Sequence, residues 1–210
     1  MFKAAIFDLD GTIIDSYDLI LEAFAKTLRQ TGQEYAPEDI YRLFGPPEEI
    51  IFKKLDPDNK HNLMNIYIKC YADCHQDYVQ LYPGIKDLLD WLQVKNVARA
   101  IITGKGHAAT QITLRELGIE NCFQTIVTGS CVNAYKPEPD GMLRVLEELA
   151  VKPGEAFYLG DSPVDIQVAK ATGVVPLAAL WGSADPGALL ELDPHRAFTS
   201  PGEMLDWLQN

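Results

Sequence analysis

Lys3-Ala4-Ala5-Ile6-Phe7-Asp8-Leu9-Asp10-Gly11-Thr12 is the stretch on which the fold turns. Its first half, Lys3 to Asp8, is apolar and too short for a helical period, so it reads as a strand. Its second half is an acidic loop that closes on a glycine. Asp8 and Asp10 interrupt the apolar run at once, so the start of the chain does not read as a signal peptide.

Outward from this stretch the texture is helical for about 65 residues. Leu19, Ile20, Ala23, Phe24, Thr27 and Leu28 mark one face of a helix over Ser16–Gln30, which Gly32 ends. Ser16 suits its N-cap. Shorter helices are expected from Pro37 to Phe44 and over Glu48–Leu55, with Gly45-Pro46-Pro47 between them, and a long one over Asn59–Val79. Beyond the break at Tyr82-Pro83-Gly84, helices and strands alternate. Helices are expected at Ile85–Gln93, His107–Leu117, Pro139–Leu149, Val164–Thr172 and Glu203–Leu208. Strands are expected at Val97–Ile102, Phe123–Val127, Ala156–Leu159 and Val174–Leu180. Such alternation implies parallel β-α units around one buried sheet. The expected architecture is an α/β fold. An open, parallel, Rossmann-like core (1–15 and 82–210) carries an α-helical insertion (16–81) after its first strand.

Composition excludes other classes. The chain has 210 residues, 47% of them hydrophobic and 23% charged, which rules out global disorder. No apolar run approaches the roughly 20 residues that cross a bilayer. The net charge of −12 repels nucleic acid and anionic lipid on average. Neither nucleic acid nor membrane is expected as a partner, and a phosphorylated ligand would need a local cation. Cys70, Cys74, Cys122 and Cys131 show no paired C-x-x-C spacing, so Cys70, Cys74 and His75 read as helix residues rather than a zinc site. Free thiols suit a reducing compartment, and the cytoplasm is the expected location. Nothing in the sequence speaks to oligomeric state.

Ligands of open α/β sheets bind beyond the carboxyl ends of the strands. At those ends stand Asp8-Leu9-Asp10-Gly11-Thr12, then Thr103-Gly104-Lys105, then Lys136-Pro137, then Gly160-Asp161-Ser162-Pro163-Val164-Asp165. One edge thus collects four carboxylates, two threonines and two lysines. It can serve an anion only if a cation neutralises the carboxylates. Taken singly, each motif has a plainer reading. Asp-x-Asp-Gly is a common turn, Lys136 could be solvated, and Asp15 and Ser16 could simply cap a helix.

Together and in this order, the four motifs resemble those of the haloacid dehalogenase-like hydrolases, in the branch of the phosphoglycolate phosphatases with a small helical cap. The resemblance spans essentially the whole chain. It implies a phosphatase of small phosphorylated metabolites, with Asp8 as nucleophile and Asp10 as general acid and base. It implies Mg²⁺ held by the side chains of Asp8 and Asp161 and the main-chain carbonyl of Asp10. Thr103 and Lys136 would stabilise the phosphoryl oxygens. Gly11, Thr12 and Gly104 would line the phosphate loop, with Thr12 alternatively constraining Asp10. Asp165 would hold Lys136 or a metal-bound water. The insertion would be the cap, hinged near Asp15–Ser16 and Tyr82–Gly84, with the turn Arg42-Leu43-Phe44-Gly45-Pro46 facing the site.

The second motif departs from the family, which commonly has asparagine where this chain has Gly104. Lys105 beside it reads as a surface lysine, or else as a charge at the mouth. His75, Tyr78, Lys53 and Lys54 are further cap positions without a distinguishing signal, and Tyr67 and Tyr71 read as core. Candidate substrates include 2-phosphoglycolate, sugar phosphates, nucleoside monophosphates and inorganic pyrophosphate. A sugar phosphomutase of the β-phosphoglucomutase type is the alternative, although those relatives carry Ala-Gly where this chain has Val164-Asp165. A dehalogenase or a phosphonate hydrolase fits less well, because Asp10 would be superfluous. A non-enzymatic regulator would be expected to have lost one of the four charged motif residues.

Overall fold

The computed structural model describes residues 2–32 and 35–210. Gln33 and Glu34, within the helical insertion, lie outside the described residues, as does Met1. The chain begins with β1 (Ala4–Phe7) and a two-residue strand β2 (Ile14–Asp15). Four helices follow: α1 (Tyr17–Leu28), α2 (Pro37–Tyr41), α3 (Glu48–Leu55) and α4 (Leu63–Tyr78). A second two-residue strand, β3 (Gln80–Leu81), returns the chain to α5 (Ile85–Val94), β4 (Ala98–Ile102), α6 (His107–Glu116) and β5 (Thr125–Val127). Then come α7 (Asp140–Glu148), β6 (Ala156–Gly160), α8 (Pro163–Thr172), β7 (Val175–Ala179), α9 (Pro186–Glu191), β8 (Arg196–Phe198) and α10 (Pro201–Gln209).

Six strands form one parallel sheet in the order β5-β4-β1-β6-β7-β8. The four residues of β1 are all buried, as a central strand covered on both faces must be. Side chains alternate between those faces. Ala4 and Ile6 pack with Met142 and Val145 of α7 and Val168 of α8. Ala5 and Phe7 join the cluster of Leu88 and Leu92 of α5, Leu114 of α6 and Met204 of α10. That second cluster runs on into the helices between β2 and β3, through Leu19, Phe24, Phe52, Tyr67 and Tyr71. Phe24 stacks on Phe52 at 5.0 Å between ring centroids and meets Tyr67 at 4.9 Å. Tyr67 and Tyr71 are core residues, as expected.

The elements that periodicity did not reveal are short. β2 and β3 pair antiparallel, Ile14 with Leu81 and Asp15 with Gln80, at the two points where the chain enters and leaves the helical segment. Two residues cannot display a period. β8 has three residues. α9 has six and starts at Pro186, with the Asp185 carboxylate accepting the Ala188 N–H as its N-cap. α4 starts later than its pattern suggests. Asn59 and Asn62 hold left-handed backbone (φ 52° and 53°), and Asp56 accepts the N–H groups of Lys60 and His61 instead. No helix among the described residues is long and apolar enough to cross a membrane.

Candidate active site

The sheet order reverses at β1, because the chain runs from β1 outward to β4 and β5 and then returns to β6 on the other side. Such a reversal opens a crevice at the carboxyl ends of the strands. Asp8 follows β1, Thr103 follows β4, Asp161 follows β6, and Lys136 arrives on the loop between β5 and α7. All four line one cavity of about 360 Å³, together with Asp10, Gly104 and Lys105.

Lys136 is the electrostatic centre of the cavity floor. Its ammonium donates to Asp165 Oδ1 at 2.7 Å and to the Tyr158 hydroxyl at 3.1 Å. It also lies 3.0 Å from Asp8 Oδ1, but off a hydrogen-bonding direction, so that oxygen is buried without a hydrogen bond. The Asp165 carboxylate is fully saturated. Tyr158 donates to Oδ1, and the Ser162 N–H and hydroxyl donate to Oδ2 in the capping box of α8. The lysine expected to be either catalytic or solvated is therefore 10% exposed and wedged between two carboxylates.

Asp161 is held from two directions. Thr12, fully buried, donates to its Oδ1 at 3.1 Å, and the Tyr17 hydroxyl donates to its Oδ2 at 3.1 Å. Burial pushes the Asp8 carboxyl up from its ordinary value, more than Lys136 pulls it down. Burial also raises Asp161, and the neighbouring charges of Asp8 and Asp165 add to the effect. Burial alone would lower Lys136, but Asp165 and Asp8 reverse this and hold it above its usual value.

Sequence comparison identifies the family. The family model of the haloacid dehalogenase-like hydrolases matches residues 5–179. The chain belongs to this family. It is a hydrolase, and its relatives are similar over most of their length. It is 30% identical to the pyrophosphatase PpaX of Anoxybacillus flavithermus, covering 84% of this chain and 82% of the relative. It is 29% identical to the phosphoglycolate phosphatase of Aquifex aeolicus, over 99% and 97% of the two chains. A solved haloacid dehalogenase-like hydrolase of Streptococcus pneumoniae is 30% identical and superposes with a TM-score of 0.79 over 99% of both chains.

Three details of the hydrolase differ from expectation. Lys105 is not a surface lysine: its side chain is 2% exposed, donates to Asp10 Oδ1 at 2.7 Å and sits 5.1 Å from the centre of the Tyr71 ring. Burial opposes its charge, but Asp10, Tyr71 and Glu48 hold its pKa above the usual lysine value. Thr12 constrains Asp161 rather than Asp10. Ser16 makes no side-chain cap to α1, and its hydroxyl donates to Asp10 Oδ1 instead. At the expected turn, Phe44, Gly45 and Pro46 line the cavity, while Arg42 is exposed and paired with Asp39. Lys53, Lys54 and Tyr78 are exposed outside it. Cys74 Sγ accepts from Lys26 at 3.1 Å, and His75 bonds Thr113.

Other residues of the site carried no sequence signal. Glu48, at the start of α3, is buried with its carboxylate on the Gly106 N–H and within 3.3 Å of the Tyr67 hydroxyl. Burial raises its pKa, and Lys105 opposes the rise. Trp181 Nε1 donates to the Thr12 carbonyl at 3.0 Å, and Gly182 packs directly on the backbone of Gly11. The loop after β7 thus braces the acidic turn. A charged residue at a helix start and a tryptophan in a loop are too common to be singled out in one sequence.

Gly11 is the one position of that turn where glycine is required. It has φ +75°, and a Cβ there would overlap the Asp161 carboxylate. Gly11→Ala is expected to cost about 1–2 kcal/mol through the left-handed backbone alone. For a chain of this length that is roughly 2–4 °C of melting temperature per kcal/mol. Displacement of Asp161 should also weaken any Mg²⁺-induced rise in melting temperature. An unchanged melting curve with and without Mg²⁺ would contradict this placement of Gly11.

The acidic cluster suits a hard cation. Asp8, Asp161 and Asp165 bring carboxylate oxygens within 4.8 Å of one another, all buried. Asp165 is already committed to Lys136, Tyr158 and Ser162. Asp8, with its unbonded oxygen, and Asp161 are the two that can bind a metal.

Proposed function

We propose that the protein is a Mg²⁺-dependent phosphatase of small phosphorylated metabolites, working through an aspartyl-phosphate on Asp8. The observation that carries this reading is the burial of Asp8 against both Lys136 and Asp161 on one cavity floor, with an oxygen that has no hydrogen-bond donor. Relatives named as a pyrophosphatase and a phosphoglycolate phosphatase support cleavage of a phosphorus–oxygen bond.

In this reading Asp8 attacks phosphorus and the bond to the leaving oxygen breaks. Asp10 supplies the proton that oxygen needs. Water then attacks the acyl phosphate, gives its proton to Asp10, and releases phosphate and the Asp8 carboxylate. Lys136 faces the equatorial oxygens as a point charge. Thr103 Oγ1 accepts the Lys105 N–H at 3.1 Å, which leaves its own O–H to donate to the phosphoryl group. Ser16 and Lys105 orient the Asp10 carboxylate. Asp8, Asp161 and the Asp10 carbonyl would hold Mg²⁺, which would supply the positive charge needed to bring two anions together. The helices α1–α4 serve as the cap over 16–81, and the β2/β3 ribbon at its two ends supports hinges there. A cytoplasmic location fits the four free thiols.

The test is phosphate release from a panel of phosphomonoesters and pyrophosphate, with Mg²⁺ and with chelator. Turnover that persists in chelator would sink the Mg²⁺-dependent reading.

The raised carboxyls also set a pH dependence for the metal-free protein. A carboxyl whose pKa is higher in the native state keeps its proton there after the unfolded chain has lost it. Stability then falls as pH rises. The window opens near the ordinary carboxylate value of about 4 and closes between about 7, where Asp8 is held, and about 8, where Asp161 is held. Lys105 and Lys136 stay charged throughout it. Glu155, held low by its hydrogen bond to Lys3, acts only below it. His75, which burial holds below its ordinary value of 6.5, works in the opposite direction below that pH. The metal-free melting temperature should therefore fall most clearly between about pH 6.5 and 8, and the stabilisation by Mg²⁺ should grow over the same interval. A flat metal-free profile would argue against buried, unneutralised carboxyls at the site.

A further inference from the structure

The cavity above the acidic floor is unequally furnished. Its wall is made of Ile20 and Phe24 from α1, Phe44 and Pro46 from the following turn, Ile51 from α3 and Val164 from α8. All six are apolar. Four carboxylates line the whole cavity (Asp8, Asp10, Glu48 and Asp161) against two ammonium groups, Lys105 and Lys136, and no arginine is among its lining residues.

Neither ammonium is available to a second anion. Lys136 is shared between Asp8 and Asp165 and faces the phosphoryl position. Lys105 is bonded to Asp10, packed over Tyr71 and almost wholly buried. Glu48 adds a further carboxylate beside it, whose nearest donors are the Gly106 N–H and the Tyr67 hydroxyl. With the two ammonium groups, a divalent cation on Asp8 and Asp161 brings the four carboxylates to about neutrality, and the phosphoryl group then adds about two negative charges with no cation left over. A leaving group carrying its own carboxylate or second phosphoryl would meet hydrocarbon, Glu48, or the hydroxyls of Tyr17 and Ser162, whose protons are already given to Asp161 and Asp165. A charge placed there loses its water and gains no partner. An uncharged leaving group loses little by leaving water and gains by covering the wall. The cavity, at about 360 Å³, is near the lower end of ligand-site volumes, so that group is small.

We infer that the substrate is a phosphomonoester with a small, uncharged, largely apolar leaving group, and that the wall selects against a second anion. This rests on the phosphatase reading above. It narrows that reading away from pyrophosphate and phosphoglycolate, on which the named relatives act.

The test compares kcat/KM of the Mg²⁺-loaded enzyme for phenyl phosphate against 4-carboxyphenyl phosphate, and for propyl phosphate against phosphoglycolate and pyrophosphate. The uncharged member of each set is expected to be preferred by at least about 100-fold, the scale on which one pocket contact discriminates or more. Ile20→Lys, which puts a cation on the half-buried wall, should shrink each ratio at least about tenfold while the uncharged esters still turn over. Equal or better turnover of pyrophosphate or phosphoglycolate would overturn the inference and leave the phosphatase reading standing. Ratios unmoved by Ile20→Lys would remove the wall as the seat of selection. Absence of Mg²⁺-dependent turnover on every ester and on pyrophosphate would overturn both.

Discussion

Asp8→Asn abolishes phosphate release, with an expected loss of about 10⁴-fold or more, the scale seen when a covalent nucleophile is removed. An amide is a poor nucleophile and cannot form the acyl phosphate. It is also a weak partner for a hard cation, so Mg²⁺ should no longer raise the melting temperature. The fold should survive. Lys136 keeps Asp165 as its counter-charge at 2.7 Å, and the substitution removes one of three clustered carboxyls. Phosphate release, Mg²⁺-dependent melting and acid-quench trapping of phosphoprotein measure these effects separately. Activity within tenfold of the unaltered protein would end the case for Asp8 as nucleophile, whatever happened to the metal.

The largest effect on stability is expected from Lys136→Met. Lys136 is the only cation within ion-pairing distance of both Asp8 and Asp165 among the described residues, and the Asp165 side chain is 0% exposed. Removing one partner of a buried pair leaves the other charge unpaired in a poor solvent, which costs about 3–5 kcal/mol. Asp165 retains its bonds from Tyr158 and Ser162, which argues for the lower end. The sign of the pH dependence follows. Without the ammonium, Asp8, whose carboxyl burial already pushes up, escapes the penalty by taking up a proton, so the loss should be smaller at pH 5 than at pH 8. Denaturant unfolding at the two pH values measures it. A variant as stable as the parent at pH 8 would mean that Lys136 does not neutralise this cluster. Phosphate release should fall as well if that ammonium serves the phosphoryl oxygens, as proposed.

Why the floor of the site could be read in advance while its roof could not is visible in particular residues. Asp8, Thr103, Lys136 and Asp161 each follow a strand that announces itself by apolar character. A parallel sheet carries such residues to the same edge, whatever the packing details. The roof depends on contacts between segments far apart in the chain. Lys105 bonds Asp10 across 95 positions, and Tyr17 bonds Asp161 across 144. Neither spacing leaves a periodic trace. Lys105 illustrates the error this allows. A lysine next to a glycine in a loop usually extends into water, and only the docking of Tyr71 and Asp10 around it makes burial tolerable. Thr12 and Ser16 show the same effect on a smaller scale, since a hydroxyl one residue along a turn can face any of several acceptors.

The sequence by itself determined the α/β class, the strand that opens the chain, the helical run that follows it and the four motifs at the strand ends. These follow from period and polarity, which are local properties. The tertiary structure alone decided which carboxylate each donor holds, that Asp165 is saturated while Asp8 keeps an unbonded oxygen, and that the wall over the acidic floor is apolar. Those are matters of direction and distance between side chains brought together by folding, and hydrogen bonds and buried charges are sensitive to both.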